Sequence, residues 1–158
     1  MPRLQPGDPA PDFQLTDAAG QPCRLADFAP GPLILYFYPA ALTPGCTIEA
    51  VDFTAAAPEL LAAGYRIVGV SPDAPAKLAR FTEKKELTVT LLSDPTHATL
   101  EAYGAWGVKA LYGKEVTGVI RSTFVLDLAA DGQATVRLAQ YGVKATGHVA
   151  RLRRDLGV

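Results

Sequence analysis

The 158-residue chain is 49% hydrophobic and 20% charged, with a formal net charge of −1. That balance suits one folded domain over residues 1–158 and excludes extended disorder, and it leaves no electrostatic footprint for nucleic acid or an anionic membrane surface. Two cysteines are too few for a secreted disulfide framework. With no apolar signal core at the start and no run near the roughly 20 apolar residues of a membrane span, the expected location is cytoplasmic.

Pro6-Gly-Asp-Pro-Ala-Pro11 reads as a stiff, extended lead-in, because each proline restricts its own φ and the residue before it. Asp12–Thr16 and Pro22–Leu25, joined across Asp17-Ala-Ala-Gly20, read as a small hairpin. Leu33–Tyr38 is a continuous apolar run bounded by prolines, as a strand buried on both faces requires.

A helix is predicted from near Cys46, with Ile48, Val51, Leu60 and Leu61 on a helical pattern, Pro58 kinking or dividing it, and Gly64 stopping it. Arg66–Ser71 is the next strand. Pro75–Glu86 is a helix with Leu78 and Phe81 inward. Val89–Leu92 is a short strand, and Thr96–Tyr103 a helix closed by Gly104. A glycine-rich loop leads to a hairpin of Ser122–Leu126 and Ala134–Leu138 around Ala129-Ala-Asp-Gly132. Thr146 is placed to cap a last helix through Leu156, where Arg151-Leu-Arg-Arg154 reads as a solvated face. This order implies an α/β fold, a mixed sheet with helices on both faces.

Cys46 carries the chemistry. It stands at a helix start, where the first amides lack intrahelical partners and the macrodipole is positive, and both favour a thiolate over a thiol. The spacing Pro39-x-x-x-Thr43-x-x-Cys46 matches the active-site motif of the peroxiredoxins. The longer string Phe37-Tyr-Pro-(three residues)-Thr43-Pro-Gly-Cys46-Thr resembles their peroxiredoxin Q, or bacterioferritin comigratory protein (BCP), group. Further matches run from Pro9-Ala-Pro-Asp-Phe13 to the last helix. The resemblance implies a thioredoxin-like fold with an N-terminal hairpin extension. It also implies a thiol-dependent peroxidase acting on hydrogen peroxide and organic hydroperoxides, with no cofactor and no metal.

On that resemblance the catalytic set is Cys46, Thr43, Pro39 and Arg121, the last in Ile120-Arg-Ser-Thr-Phe124. Thr43 offers a hydroxyl to sulfur or peroxide, or caps the helix. Pro39 shields the sulfur, or simply ends the strand. Arg121 supplies a cation that cannot be deprotonated. Glu49 shares the helix face of Cys46 and either pairs with Arg121 or another base, or is a first-turn carboxylate favourable to the dipole. Trp106, in a stretch with Lys109 and Tyr112-Gly-Lys114 that resembles the group's loop before the arginine, either walls the pocket or packs in the core.

The chain departs from many members of the group at Val51, five residues past Cys46, where they carry a resolving cysteine. Cys23 is the only other thiol. It is an inert strand residue, a resolving partner after local opening, or an intermolecular partner. A one-cysteine cycle follows, in which the sulfenic acid on Cys46 is reduced by thioredoxin, glutaredoxin or a small thiol. The group's members suggest a monomer.

Other chemistries fit less well. Glu49 stands where a Cys-x-x-Cys oxidoreductase needs its second thiol. His97 and His148, read as capping or surface residues at helix starts, make poor bases for a cysteine hydrolase. The remaining alternative is a redox sensor or holdase-like protein oxidised at Cys46 without efficient turnover.

Overall fold

In the computed structural model, the apolar run after Pro30 forms an interior strand of a seven-stranded sheet, and Leu33 to Tyr38 are fully buried. Residues 3–158 are described, position 111 by its backbone alone, so Met1 and Pro2 of the predicted domain lie outside the described residues. The elements in chain order are β1 (Gln14–Asp17), β2 (Pro22–Arg24), a 3-10 turn (Leu25–Phe28), β3 (Gly31–Phe37), α1 (Pro44–Ala62), β4 (Arg66–Ser71), α2 (Pro75–Lys85) and β5 (Thr90–Ser93). There follow α3 (Ala98–Ala102), β6 (Trp106–Leu111), β7 (Lys114–Val119), β8 (Ser122–Leu128), β9 (Ala134–Tyr141) and α4 (His148–Leu156).

The sheet runs β2-β1-β5-β4-β3-β8-β9 and is mixed. β3 and β5 lie parallel to β4, while β8 and β1 are antiparallel to their neighbours. Alternation along β3 divides the core. Ile34, Tyr36 and Tyr38 face α1, α2 and α4, with Phe53, Leu60, Leu78, Phe81, Val149 and Leu152. Leu33, Leu35 and Phe37 face the opposite layer, with Phe13, Leu100 of α3, Tyr103 and Val119.

Three local expectations are corrected. The buried stripe of α1 is Cys46, Glu49, Ala50, Phe53, Ala56, Ala57 and Leu60, whereas Ile48, Val51 and Leu61 are exposed. Small alanines fill the seam beneath Phe53, so the larger aliphatics marked the wrong face. Second, Pro58 does not divide α1, which is helical throughout. It lies on the exposed side of the helix, where the carbonyl it leaves without a donor can meet water. Third, the cap of α4 is Gly147 at φ +74°, not Thr146, whose carbonyl instead accepts from the Arg151 guanidinium.

The glycine-rich loop is a third hairpin. β6 and β7 pair through Gly107↔Gly118 to Leu111↔Lys114, and Tyr112 and Gly113 both have positive φ in the two-residue turn between them. That is the geometry of a type I′ turn. A tyrosine in the first turn position, in place of the usual Asn or Asp, hid the signal.

The two faces of α1 predict opposite responses to truncation. Phe53→Ala, which empties a fully buried site stacked 4.6 Å from Tyr36, should cost about 3–5 kcal/mol in urea unfolding. Val51→Ala on the exposed side should stay within about 0.5 kcal/mol.

Candidate active site

β3 ends at Phe37, and the following loop is pinned before α1 begins. The Tyr38 amide donates to the Val70 carbonyl at 3.1 Å, and the Ala41 amide donates to Asp73 Oδ2 at 2.7 Å. Asp73 is itself held by the Ser71 hydroxyl at 2.9 Å and by Lys77 at 3.2 Å. Leu42 then takes φ +67°, a strained conformation for a branched side chain, and the chain turns into the helix. Thr43 occupies the cap position and Pro44 the first helical one.

The first intrahelical bond runs from the Thr47 amide to the Thr43 carbonyl at 2.9 Å. Helix geometry therefore leaves the Gly45 and Cys46 amides free to donate outward. The Thr43 side chain makes no cap bond; its hydroxyl donates to the Ala40 carbonyl at 2.7 Å. With its proton engaged there, its oxygen remains an acceptor for an incoming O–H.

Strand register brings the cation. Phe37 pairs with Ser122, so Arg121 lies one step beyond, at the end of β3 where α1 starts. Nη2 of Arg121 is 3.4 Å from Cys46 Sγ, and Nη1 donates to Glu49 Oε1 at 2.7 Å. A single guanidinium thus bridges the Cys46 sulfur and a carboxylate one turn further along the same helix. Cys46 is 2% exposed and Glu49 fully buried. Gly45 leaves room for the approach, since a Cβ there would stand 3.3 Å from Nη2 and press the guanidinium aside by a few tenths of an ångström.

Burial pushes the Glu49 carboxyl up to about 7 against the opposing pull of Arg121. Arg121 is held above its ordinary value, since Glu49 and the Cys46 sulfur more than offset its burial. Behind Glu49 stands His148, which is not the surface residue expected but 1% exposed. Burial, with Arg151 and Arg121, holds its imidazole down to about 4, so it is neutral at neutral pH. Its Nε2 lies 2.8 Å from Thr123 Oγ1 and 4.0 Å from Glu49 Oε2.

Lys109, on the unexpected hairpin, donates to the Val119 carbonyl at 2.6 Å. Its ammonium is held below the ordinary value by burial and by Arg121, with a partial offset from Cys46. It is a second cation that the Cys46 sulfur feels through space, brought to this side by the β6–β7 pairing. Asp73 was invisible in the sequence, because its partner amide is 32 residues away.

Pro39 is half-buried in the loop after β3. Trp106 stacks on His97 with centroids 3.8 Å apart, and it borders a cavity of about 550 Å³ shared with Arg3, Glu101 and Ile120. On β6, it packs half-buried against the core layer of Leu100, Tyr103 and Val119.

Cys23 and Cys46 belong to opposite faces of the sheet. β2 is also four strand positions from β3, about 19 Å at the usual spacing, whereas a disulfide needs Cα atoms within about 7 Å. Burial, then Asp27 and Asp17, raises the Cys23 thiol to about 11.

The profile of the AhpC/TSA family matches residues 6–146. The chain belongs to this family, as a peroxiredoxin of the peroxiredoxin Q/BCP group. Among its relatives, a putative peroxiredoxin of Mycobacterium tuberculosis is 56% identical over 156 residues, covering 99% of this chain and 97% of the relative. Peroxiredoxin Bcp of Escherichia coli is 45% identical over 130 residues, 82% of each chain.

The structure of the bacterioferritin comigratory protein of Xanthomonas campestris, described for its alkyl peroxide reduction, superposes with a TM-score of 0.82 at 35% identity, covering 92% of this chain and 90% of that one. Peroxidoxin BcpB of Mycobacterium tuberculosis gives 0.82 at 34%, covering 98% and 97%. The thioredoxin-like peroxiredoxin fold expected from the motif is the fold observed.

The ion pair makes a prediction with a pH sign. Glu49 titrates above its unfolded value, so its ionisation costs stability as pH rises from about 4.5 to about 7, while His148 contributes the opposite slope between about 4 and 6.5. Arg121→Met should therefore cost about 3–5 kcal/mol at pH 8, where Glu49 must either stay ionised without its partner or take up a proton from a dilute pool, and clearly less at pH 5, where the acid is already neutral. The rate of Cys46 oxidation by peroxide should fall about 10²- to 10³-fold in the same variant.

Proposed function

We propose that the 158 residues act as one peroxidase domain in which the Cys46 thiolate reduces hydrogen peroxide and organic hydroperoxides. The observation that carries this reading is the Arg121 guanidinium, 3.4 Å from Sγ and fixed by a buried Glu49. Sulfur attacks one peroxide oxygen, the O–O bond breaks, and the departing oxygen leaves as hydroxide or alkoxide that takes a proton. Arg121 and the free amides of Gly45 and Cys46 face that developing charge. The Thr43 oxygen accepts from the peroxide O–H and aligns it, and Pro39 closes the pocket to water.

The cycle is one-cysteine within the chain. Cys46 sulfenic acid condenses with an external thiol, releasing water, and a second thiol frees the thiolate as a disulfide departs. Thioredoxin, glutaredoxin or a small thiol can fill that role, in the reducing setting of the cytoplasm, and the chain acts as a monomer. The placement of Cys23 on the far face of the sheet, with a thiol raised to about 11, supports its having no part in the cycle. Because Cys46 is buried, the first turn of α1 must open for a reductant to reach the sulfur.

Peroxide consumption with a panel of thiol reductants tests this. Cys46→Ser should abolish turnover, and Cys23→Ser should keep it within about twofold, since that surface-edge residue touches none of the reacting atoms. Loss in both variants would require a two-cysteine cycle. Rapid oxidation of wild-type Cys46 without steady turnover on any reductant would instead favour the sensor alternative.

A further inference from the structure

Glu49 uses one oxygen on Arg121; the other is unaccounted for by the peroxide chemistry. Oε2 is buried and has no hydrogen-bond partner among the described residues. An unpartnered carboxylate oxygen in a dry interior is costly, so its surroundings decide the state of the whole bridge. What faces it is His148, the first residue of α4, with Nε2 at 4.0 Å. The same nitrogen is 2.8 Å from Thr123 Oγ1. Thr123 lies two residues beyond Arg121, and its register partner Tyr36 faces α1. The Phe53 ring meets the imidazole edge-on at 6.1 Å. Thus α1, β8 and α4 converge on one atom of Glu49.

Resting on the reading of Cys46 as the peroxide-reducing thiol, we propose that His148 is a positioning residue of this site. Its Nε2 acts through Glu49 Oε2 to keep the carboxylate turned on Arg121, and thereby keeps the guanidinium on the Cys46 sulfur. A neutral imidazole protonated at Nε2 has one N–H to give, either to Thr123 or, after a shift of about 1 Å, to Oε2. The Thr123 hydroxyl accepts in the first arrangement and is released in the second.

With that donor present, the ionised carboxylate has a partner for each oxygen. Without it, Oε2 faces hydrocarbon, the acid form is favoured, and the charge-assisted hold on Arg121 is lost. The other charged or titratable groups facing the pair are Cys46 on α1, Tyr36 and Tyr38 on β3, Arg121, and Arg151 on α4. Lys109 on β6 reaches Arg121 and Cys46. The two arginines and burial keep His148 a neutral donor, so Glu49 is the group poised to change.

The test is the second-order rate of Cys46 oxidation by hydrogen peroxide between pH 5 and 9, in wild type, His148→Leu, His148→Gln, Glu49→Gln and the double variant His148→Leu/Glu49→Gln. His148→Leu should move the acid limb upward by about one pH unit, roughly a tenfold loss below it, and keep the alkaline plateau. His148→Gln, which retains an N–H donor, should stay within about threefold of wild type at every pH, and His148→Leu should add less than about twofold in the Glu49→Gln background.

An unmoved profile in His148→Leu, an equal loss in His148→Gln, or an undiminished effect without Glu49 would each overturn the proposal. Circular dichroism and urea midpoints check folding, and His148→Asn, whose amide falls short of Oε2, replaces His148→Leu if that variant does not fold. A wild-type protein that fails to react with peroxide at all would instead remove the reading of Cys46, a distinct result.

Discussion

The site depends on one guanidinium held between a carboxylate and a sulfur. Arg121 reaches Cys46 with one nitrogen while Glu49, on the same helix face, fixes the other. Taking a carboxylate fully out of water is unfavourable, and burial raises Glu49 to about 7 even with its partner in place. That unfavourable burial is tolerated where it orients a charge. A flexible surface arginine would lose side-chain entropy each time it met the sulfur; here the loss is met once, on folding.

The sheet makes that geometry available. β3 delivers the chain to α1, and its antiparallel neighbour β8 begins where β3 ends, so the residue before β8 falls beside the helix start. Each of the other supports comes from a different element. Asp73 pins the loop from the β4–α2 turn, Lys109 arrives on the β6–β7 hairpin, and His148 arrives on α4. The buried Phe53–Tyr36 stack holds α1 against β3. Helix and sheet together thus place one nitrogen 3.4 Å from one sulfur.

Much of this was legible in the sequence, for physical reasons that can be named. A six-residue apolar run between prolines has few solutions other than a central strand, and a cysteine after Thr-Pro-Gly sits at a helix start because proline suits the first helical position. Arg121 and Glu49 were legible through the motif and the helical spacing. The face of α1 was misread because alanines, which carry little hydrophobic weight, line its buried side, while Ile48 and Val51 look inward-facing only by composition. The hairpin was missed because Tyr112-Gly113 is an unusual turn pair. His148 and Asp73 were out of reach for another reason: their partners are 99 and 32 residues away, and local pattern carries no information about such contacts.

The separation of the two thiols gives the account its simplest consequence. They lie on opposite faces and about four strands apart, beyond disulfide reach of each other in this structure, which is the basis for the proposed one-cysteine cycle. The most direct test is intact-protein mass spectrometry after one equivalent of hydrogen peroxide, with a sulfenic-acid trap present. The account predicts a single trapped adduct on Cys46, with Cys23 still alkylatable as a free thiol. A product two hydrogens lighter than the reduced chain, with Cys23 and Cys46 linked in one peptide pair, would contradict it.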